Sequence, residues 1–394
     1  MSDRAEASGG FSLVSQNQTI LAESVTPGNN SAAKSGRYSR SARLALGGLL
    51  VGGLVTGCAQ TPLPTPAAAA EGDSPALTEE QNLLILAEID QVLSEAGAAR
   101  NPELLPERLT GPALYVRSSQ LRVADIINDD SLVTVLPASF QQLIIPTTTT
   151  WPRTAFAITN VTEELQPPRL LALVQASPRD QYKLWGWVQL LPGVQMPAFD
   201  DPRVGSAELP PDDDSLKLTP TEAVRQYADL LSNRDASAYL ANFEPVESDH
   251  FRDFITRLVA AQEAALAEDR VEGTYSLVAQ PAGSTILAVR TDDGGALVMA
   301  ELITDERLQA VEGAVLTPQT QTALALLTGS EFTNILTAQY RDIIALHVPA
   351  AGSADTVRLL GYSHIQTGAS VGDYDEYADE AGDEAGENGE NGED

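Results

Sequence analysis

From residue 78 onward the apolar positions run alternately at helical and at strand spacing. Leu83, Leu84, Ile85, Leu86, Ile89, Val92, Leu93 and Ala96 recur at helical intervals. Thr78 stands ahead of them as N-cap, with Gln81 at the capping-box position and Gly97 where the helix can end. A second helical stretch is predicted over Ala113 to Ile127. The pattern then shortens to strands over Gln142–Thr147, Arg153–Asn160, Arg169–Ala176 and Tyr182–Leu191, separated by Pro, Asn and Asp clusters. Residues 192–217 hold five prolines, an Asp-Asp-Asp run and few apolar side chains, which predicts a linker.

The pattern restarts at Leu218. Thr219 is placed to cap a helix, Pro220 occupies its first turn and Glu222 the capping-box position. A longer helix is predicted from about Ser248, with Phe251, Phe254, Ile255, Leu258, Ala261 and Leu266 along one face. Strands follow over Tyr275–Ala279, Thr285–Arg290 and Ala296–Ile303, the last two joined by Asp292-Asp293-Gly294-Gly295, a hairpin signal. A short helix from Thr317-Pro318 to Leu327 precedes the strands Thr333–Val348 and Val357–Ile365. Helices first and antiparallel strands after, twice over, predict the α+β class.

The halves share more than their order. Leu170-Leu-Ala-Leu173 and Lys183-Leu-Trp-Gly-Trp187 correspond to Ile343-Ile-Ala-Leu346 and Arg358-Leu-Leu-Gly-Tyr362. The offset grows along the chain and leaves about thirty extra residues in the second half, most simply around 304–331. The expected organisation is an N-terminal extension and signal (1–57), a tether (58–76), one α+β repeat (77–191), a linker (192–217), a second repeat (218–367) and an acidic tail (368–394).

Lys34, Arg37, Arg40 and Arg43 lead into an apolar run, Leu44 to Val55, that ends in Val55-Thr56-Gly57-Cys58. Basic residues, a short apolar core and small residues make a secretory signal. The run is too short and glycine-rich for a spanning helix, which needs about 20 residues. Its end resembles the lipobox of bacterial lipoproteins, which implies cleavage before Cys58 and a covalent lipid on its thiol. The Pro/Ala/Thr segment after Cys58 predicts an extended tether reaching at most roughly 55 Å.

The formal charge is −31 over 394 residues. Such an excess repels nucleic acid and anionic headgroups, so neither is expected as a partner. Cys58 is the single cysteine, which excludes an intramolecular disulfide and, once lipidated, a nucleophilic thiol. The last 23 residues hold eleven acids and no base, without the spacing and turn glycine of a calcium loop.

Phosphate-binding loops, serine-nucleophile elbows and zinc motifs are all missing from the sequence, and no cofactor other than the lipid is expected. The three histidines are His250, His347 and His364. In the predicted final hairpin Asp342 falls opposite His364, which suggests a cross-strand ion pair of structural role, while His347 lies too far along the sheet to share a metal. Simple alternation puts Lys183, Trp185, Trp187 and Gln189 on one face, as it does Arg358, Leu360, Tyr362 and His364. Trp185, Trp187, Tyr362 and His364 are therefore the candidate residues, lining either a pocket or the interface between the repeats.

Helices packed on a bent antiparallel sheet resemble the cystatin-like and nuclear-transport-factor-like α+β cones. Thr110-Gly-Pro-Ala113, Thr150-Trp-Pro-Arg-Thr154, Gln175-Ala-Ser-Pro-Arg-Asp180 and Leu184-Trp-Gly-Trp187 together resemble an uncharacterised actinobacterial lipoprotein family over most of 77–367. The resemblance implies a location and no catalytic residues. The expected function is a binding or scaffold module, tethered through its lipid to the outer face of the cell membrane and meeting an envelope protein or apolar ligand. An isomerase- or dehydratase-like enzyme with a buried carboxylate, and an assembly factor for exported proteins, stand as alternatives.

Overall fold

In the computed structural model the described residues are 74–161, 167–268, 272–328 and 333–372. The expected signal, Cys58, most of the expected tether and the residues beyond Gly372 lie outside them. The chain opens with α1 (Glu79–Ala99) and α2 (Gly111–Ile127). Both arms of the predicted capping box form at α1: Thr78 Oγ1 accepts from the Gln81 amide at 3.1 Å, and Gln81 Oε1 accepts from the Thr78 amide at 2.9 Å. Strands β1 (Phe140–Ile144), β2 (Pro146–Thr147), β3 (Arg153–Thr159), β4 (Arg169–Gln175) and β5 (Lys183–Leu190) follow.

The second half repeats this order after a short β6 (Ser206–Ala207). Helices α3 (Pro220–Asn233) and α4 (His250–Glu268) precede β7 (Gly273–Arg290) and β8 (Ala296–Ala310). A small α5 (Gln321–Ala325) and β9 (Leu327–Thr328) lead to β10 (Ile335–Val348) and β11 (Arg358–Val371). Thr219 caps α3 through the Glu222 amide as expected. The Glu222 carboxylate, however, turns to Arg225 and Gln226 instead of closing the box.

One sheet runs through both halves in the order β1-β3-β4-β5-β11-β10-β8-β7. The last strand of each half lies at the centre, and the two pair antiparallel at Gly361↔Leu190 and Tyr362↔Gln189. The expectation of two separate domains therefore meets a continuous sheet whose outer strands belong to the halves in mirrored order.

The register makes the correspondence specific. In the first half Ala172 faces Gly186 and Leu173 faces Leu184, leaving Trp185 as the extra residue of a bulge. In the second, Ala345 faces Gly361 and Leu346 faces Leu359, leaving Leu360 extra. The bulge falls at the same place in both. It also corrects the face assignment made from alternation. Trp185 and Trp187 lie in different cores, as do Leu360 and Tyr362, because the extra residue shifts the alternation between them.

Among the described residues, the three largest apolar clusters stack in series, with two smaller ones around Leu308 and Tyr340 and around Val123 and Leu326. The first lies between α1 and α2 and one face of the first half-sheet, with Leu86, Ile89, Val116, Leu171, Leu173 and Trp187. The second joins the helix-free faces of both halves, with Phe156, Leu170 and Trp185 against Met299, Ile343 and Leu360. The third lies under α3 and α4, with Val224, Tyr227, Phe251, Ile255, Ala300 and Ile344. The sheet curls to bring its helix-free faces together, which buries apolar area on both sides of the strands.

Further differences follow from packing. Residues 192–217, expected as a linker, lie against the sheet: Leu209 and Leu216 are buried, and the Leu209 amide donates to Ala288 O at 2.9 Å. The strands expected over 275–279 and 285–290 form one strand, with an irregularity between Pro281 and Ile286. β11 continues through residues expected in the tail, to Val371. The extra length of the second half is divided between longer strands and the 311–334 connection, since β8 and β10 have 15 and 14 residues where β3 and β4 have 7 each.

Candidate functional site

The helix-covered face of the second half carries ionisable side chains in its interior. Alternation in β8 points Leu302, Thr304, Glu306 and Leu308 inward. β10 adds Tyr340 and Asp342, β11 adds Tyr362 and His364, and β7 adds Tyr275. As the sequence predicted, Asp342 and His364 are register partners. Their contact is a hydrogen bond of 2.6 Å from His364 Nδ1 to Asp342 Oδ1. The second carboxylate oxygen, Oδ2, accepts from Thr304 Oγ1 at 2.6 Å. Thr304, Asp342 and His364 thus form a chain that fixes the imidazole from behind.

Rings hold it from the sides. Tyr340 stacks on the imidazole at 4.2 Å and 6°, while Phe251 and Phe254 of α4 meet it at 5.4 and 5.6 Å. Phe251 also stacks on Tyr362 at 4.4 Å. Burial lowers the proton affinity of His364, but Asp342 outweighs it, and the imidazole holds its proton more tightly than usual.

Glu306 has no such partner. Its side chain is 1% exposed, and Oε1 is without a hydrogen bond. Burial pushes its carboxyl up to about 7 against the pull of His364. The Tyr275 hydroxyl stands beside it, also buried and without an aligned hydrogen bond. At the start of α4, buried Asp249 accepts from the Tyr227 hydroxyl and the Arg252 amide, both at 3.0 Å. Burial raises its carboxyl to about 6. Through the Arg252 amide its carboxylate caps the start of α4.

An open groove of about 430 Å³ runs between the C-terminal part of α4 and the start of β7, lined by Glu263, Leu266, Ala267, Glu272, Gly273, Thr274 and Tyr275. It meets the cluster at Tyr275, the neighbour of Glu306, and Glu306 is not among its lining residues.

The other candidate residues are placed apart. Trp185 belongs to the core between the half-sheets, and Trp187 to the core under α1 and α2, where the Arg117 guanidinium lies 5.4 Å over its ring. Only Tyr362 and His364 of the four share a surface. His347 sits against Asp293 of the β7–β8 hairpin at 3.0 Å, distant in register from His364. Among the described residues no group of three or more metal-ligating side chains could hold an ion.

Glu306, Thr304, Tyr275 and Tyr340 escaped the sequence reading. The signal was present for Glu306, an acid at an inward position of an alternating strand, but β8 was expected to stop at Ile303. At the equivalent place in the first half, Arg169 pairs with Gln189, so the Asp–His pair belongs to the second half alone.

Residues 73–371 match the model of a family described as Domain of unknown function (DUF8094). The chain belongs to this family. The DUF8094 span takes in both halves and ends with Val371, the last residue of β11. Comparison with curated proteins and with solved structures gave no match. Among the described residues no helix is long and apolar enough to cross a membrane.

Proposed function

We propose that this DUF8094 chain is a binding or scaffold module of the cell envelope, held at the outer face of the membrane by a lipid on Cys58. It is built from two copies of one α+β unit. The duplication draws support from the mirrored strand order and from the bulge that recurs at Trp185 and Leu360. The anchor rests on Val55-Thr56-Gly57-Cys58 and the basic, apolar leader before it.

One observation carries the functional reading. The space between α4 and its sheet, where a cone-shaped enzyme would hold substrate, is occupied by Phe251, Phe254, Tyr340, Tyr362 and His364, whose ring contacts centre on Phe251 and His364. A filled interior leaves the outer surface to do the work. The enzyme reading draws on Glu306, a buried carboxyl with a raised proton affinity, a common feature of acid–base sites. The groove beside α4 meets this cluster at Tyr275.

The test is capture from envelope membranes with the lipidated full chain, crosslinked in place. Recovery of one envelope protein or wall component, lost on competition with unlabelled protein, supports the module. Recovery of nothing above a lipid-anchored control defeats it. Turnover of a small substrate abolished by Glu306→Gln would favour the enzyme.

A further inference from the structure

The ionisable groups under α4 are not demanded by the architecture. The first half builds the same strand pairing with Arg169 and Gln189 where the second has Asp342 and His364. Both halves keep two helices against a four-stranded meander, yet only the second places the chain Thr304–Asp342–His364 beneath its helix.

The groups are also unbalanced. Asp342 and Glu306 are two carboxyls facing one imidazole. Asp342 holds His364 at 2.6 Å, so a protonated His364 neutralises that carboxylate. A charge on Glu306 would then stand 1% exposed with Oε1 unpaired. A buried carboxylate with only the Tyr275 hydroxyl and the distant His364 to offset its burial is costly, so in the closed structure Glu306 keeps its proton into the neutral range. Asp249 repeats the situation at the other end of the helix, 3% exposed and held by one hydroxyl and a backbone amide.

The surroundings supply little compensation. On α4, Arg252 donates to Glu244 O and Arg257 to Asp253 on the exposed side. α3 contributes the Tyr227 hydroxyl and β7 the Tyr275 hydroxyl. Tyr340 and Tyr362 come from β10 and β11, and Arg234 from the turn after α3 acts on Tyr275 from a distance. Glu263 and Glu272 on the adjoining groove add negative charge.

We propose that this cluster makes the seating of α4 proton-responsive: mildly acidic solution closes the helix onto the sheet, and alkaline solution loosens it. The direction follows group by group. Glu306 and Asp249 bind protons more tightly folded than unfolded, and so does His364. Each contribution is complete below the unfolded value and is lost as pH rises through the folded one. For Asp249 that window runs from 3.8 to about 6, and for Glu306 from 4.5 to about 7, with His364 acting in the same sense above 6.5. This opposes the usual acid denaturation driven by paired carboxylates. The device needs neither the lipid nor a partner, so its failure is separable from that of the binding reading.

Hydrogen exchange of the full chain, followed by mass spectrometry and corrected for intrinsic rates, reads the opening of α4 directly. Between pH 6 and pH 8.5 a carboxyl that titrates at about 7 closed and 4.5 open contributes roughly 10-fold, and Asp249 and His364 add to it in the same sense. Partial opening should show about 10- to 100-fold less protection of residues 250–268 at pH 8.5 than at pH 6. Residues 111–127, in α2, serve as the internal control and should not change. Glu306→Gln, neutral at every pH, should remove at least half of the α4 response on a logarithmic scale. Equal changes in α2 and α4, or an unaltered response in Glu306→Gln, would overturn the proposal. If that variant does not fold, the ¹³C carboxyl resonance of Glu306 in the wild-type chain decides. A midpoint above 6 upholds the proposal, and one near 4.5 refutes it.

Discussion

Gly361→Ala tests the central seam. A Cβ at residue 361 would lie 2.5 Å from Gln189 O and 3.0 Å from both Gln189 C and Leu190 Cα, all backbone atoms of β5. None can rotate away, so β5 and β11 must separate. The strands pair through only two residue pairs there, with one further bond from the Leu191 amide to Leu360 O at 2.9 Å. Forced separation costs roughly 1–3 kcal/mol in overpacking. Weakening one hydrogen bond costs about 1 kcal/mol more. The stiffer unfolded chain returns roughly 0.4–1 kcal/mol. The balance is about 2–3 kcal/mol of destabilisation, which for a domain of this size lowers Tm by roughly 5–10 °C. Gly186→Ala is the matched control, since its Cβ would meet the Ile343 Cδ1 tip at 3.1 Å, and that tip can turn. Its effect should stay within about 1 kcal/mol. Denaturant unfolding of both variants beside the wild type measures the difference. A Gly361→Ala protein as stable as wild type, or a more damaged Gly186→Ala, would show that the seam does not constrain the fold as argued.

Trp185→Ala empties part of the core between the half-sheets and should cost about 3–5 kcal/mol by denaturant unfolding. Asp342→Asn removes the carboxylate that holds the His364 proton; the imidazole midpoint, followed by NMR, should fall, and stability should drop by about 3 kcal/mol. Cys58→Ala should move the protein from the membrane pellet to the medium or leave an uncleaved precursor. Normal processing and pelleting of that variant would remove the basis for the lipid anchor.

Local signals in the chain determined most elements. Thr78 with Gln81 started α1, Thr219 with Pro220 started α3, and Asp292-Asp293-Gly294-Gly295 turned β7 into β8, because caps and tight turns depend on residues a few positions apart. The Asp342–His364 pairing was legible for the same reason, since a hairpin fixes its own register. The glycine shared by the two final strands was visible too, though not what it was for: Gly186 faces Ile343 of the opposite half, and Gly361 faces Gln189.

Tertiary structure decided the rest. The bulges at Trp185 and Leu360 moved one tryptophan into the inter-sheet core, and no local pattern marks a bulge within an apolar run. The proline-rich segment before Leu218 packs because its few apolar residues, Leu209 and Leu216, meet surfaces contributed by the second half. Glu306 is buried because the outer ends of β8 and β10 run on beneath the helix layer, beyond the length of their counterparts β3 and β4. Pattern along the chain determines which face a residue takes. Whether that face meets water, a helix or the other half depends on contacts between segments that lie far apart along the chain.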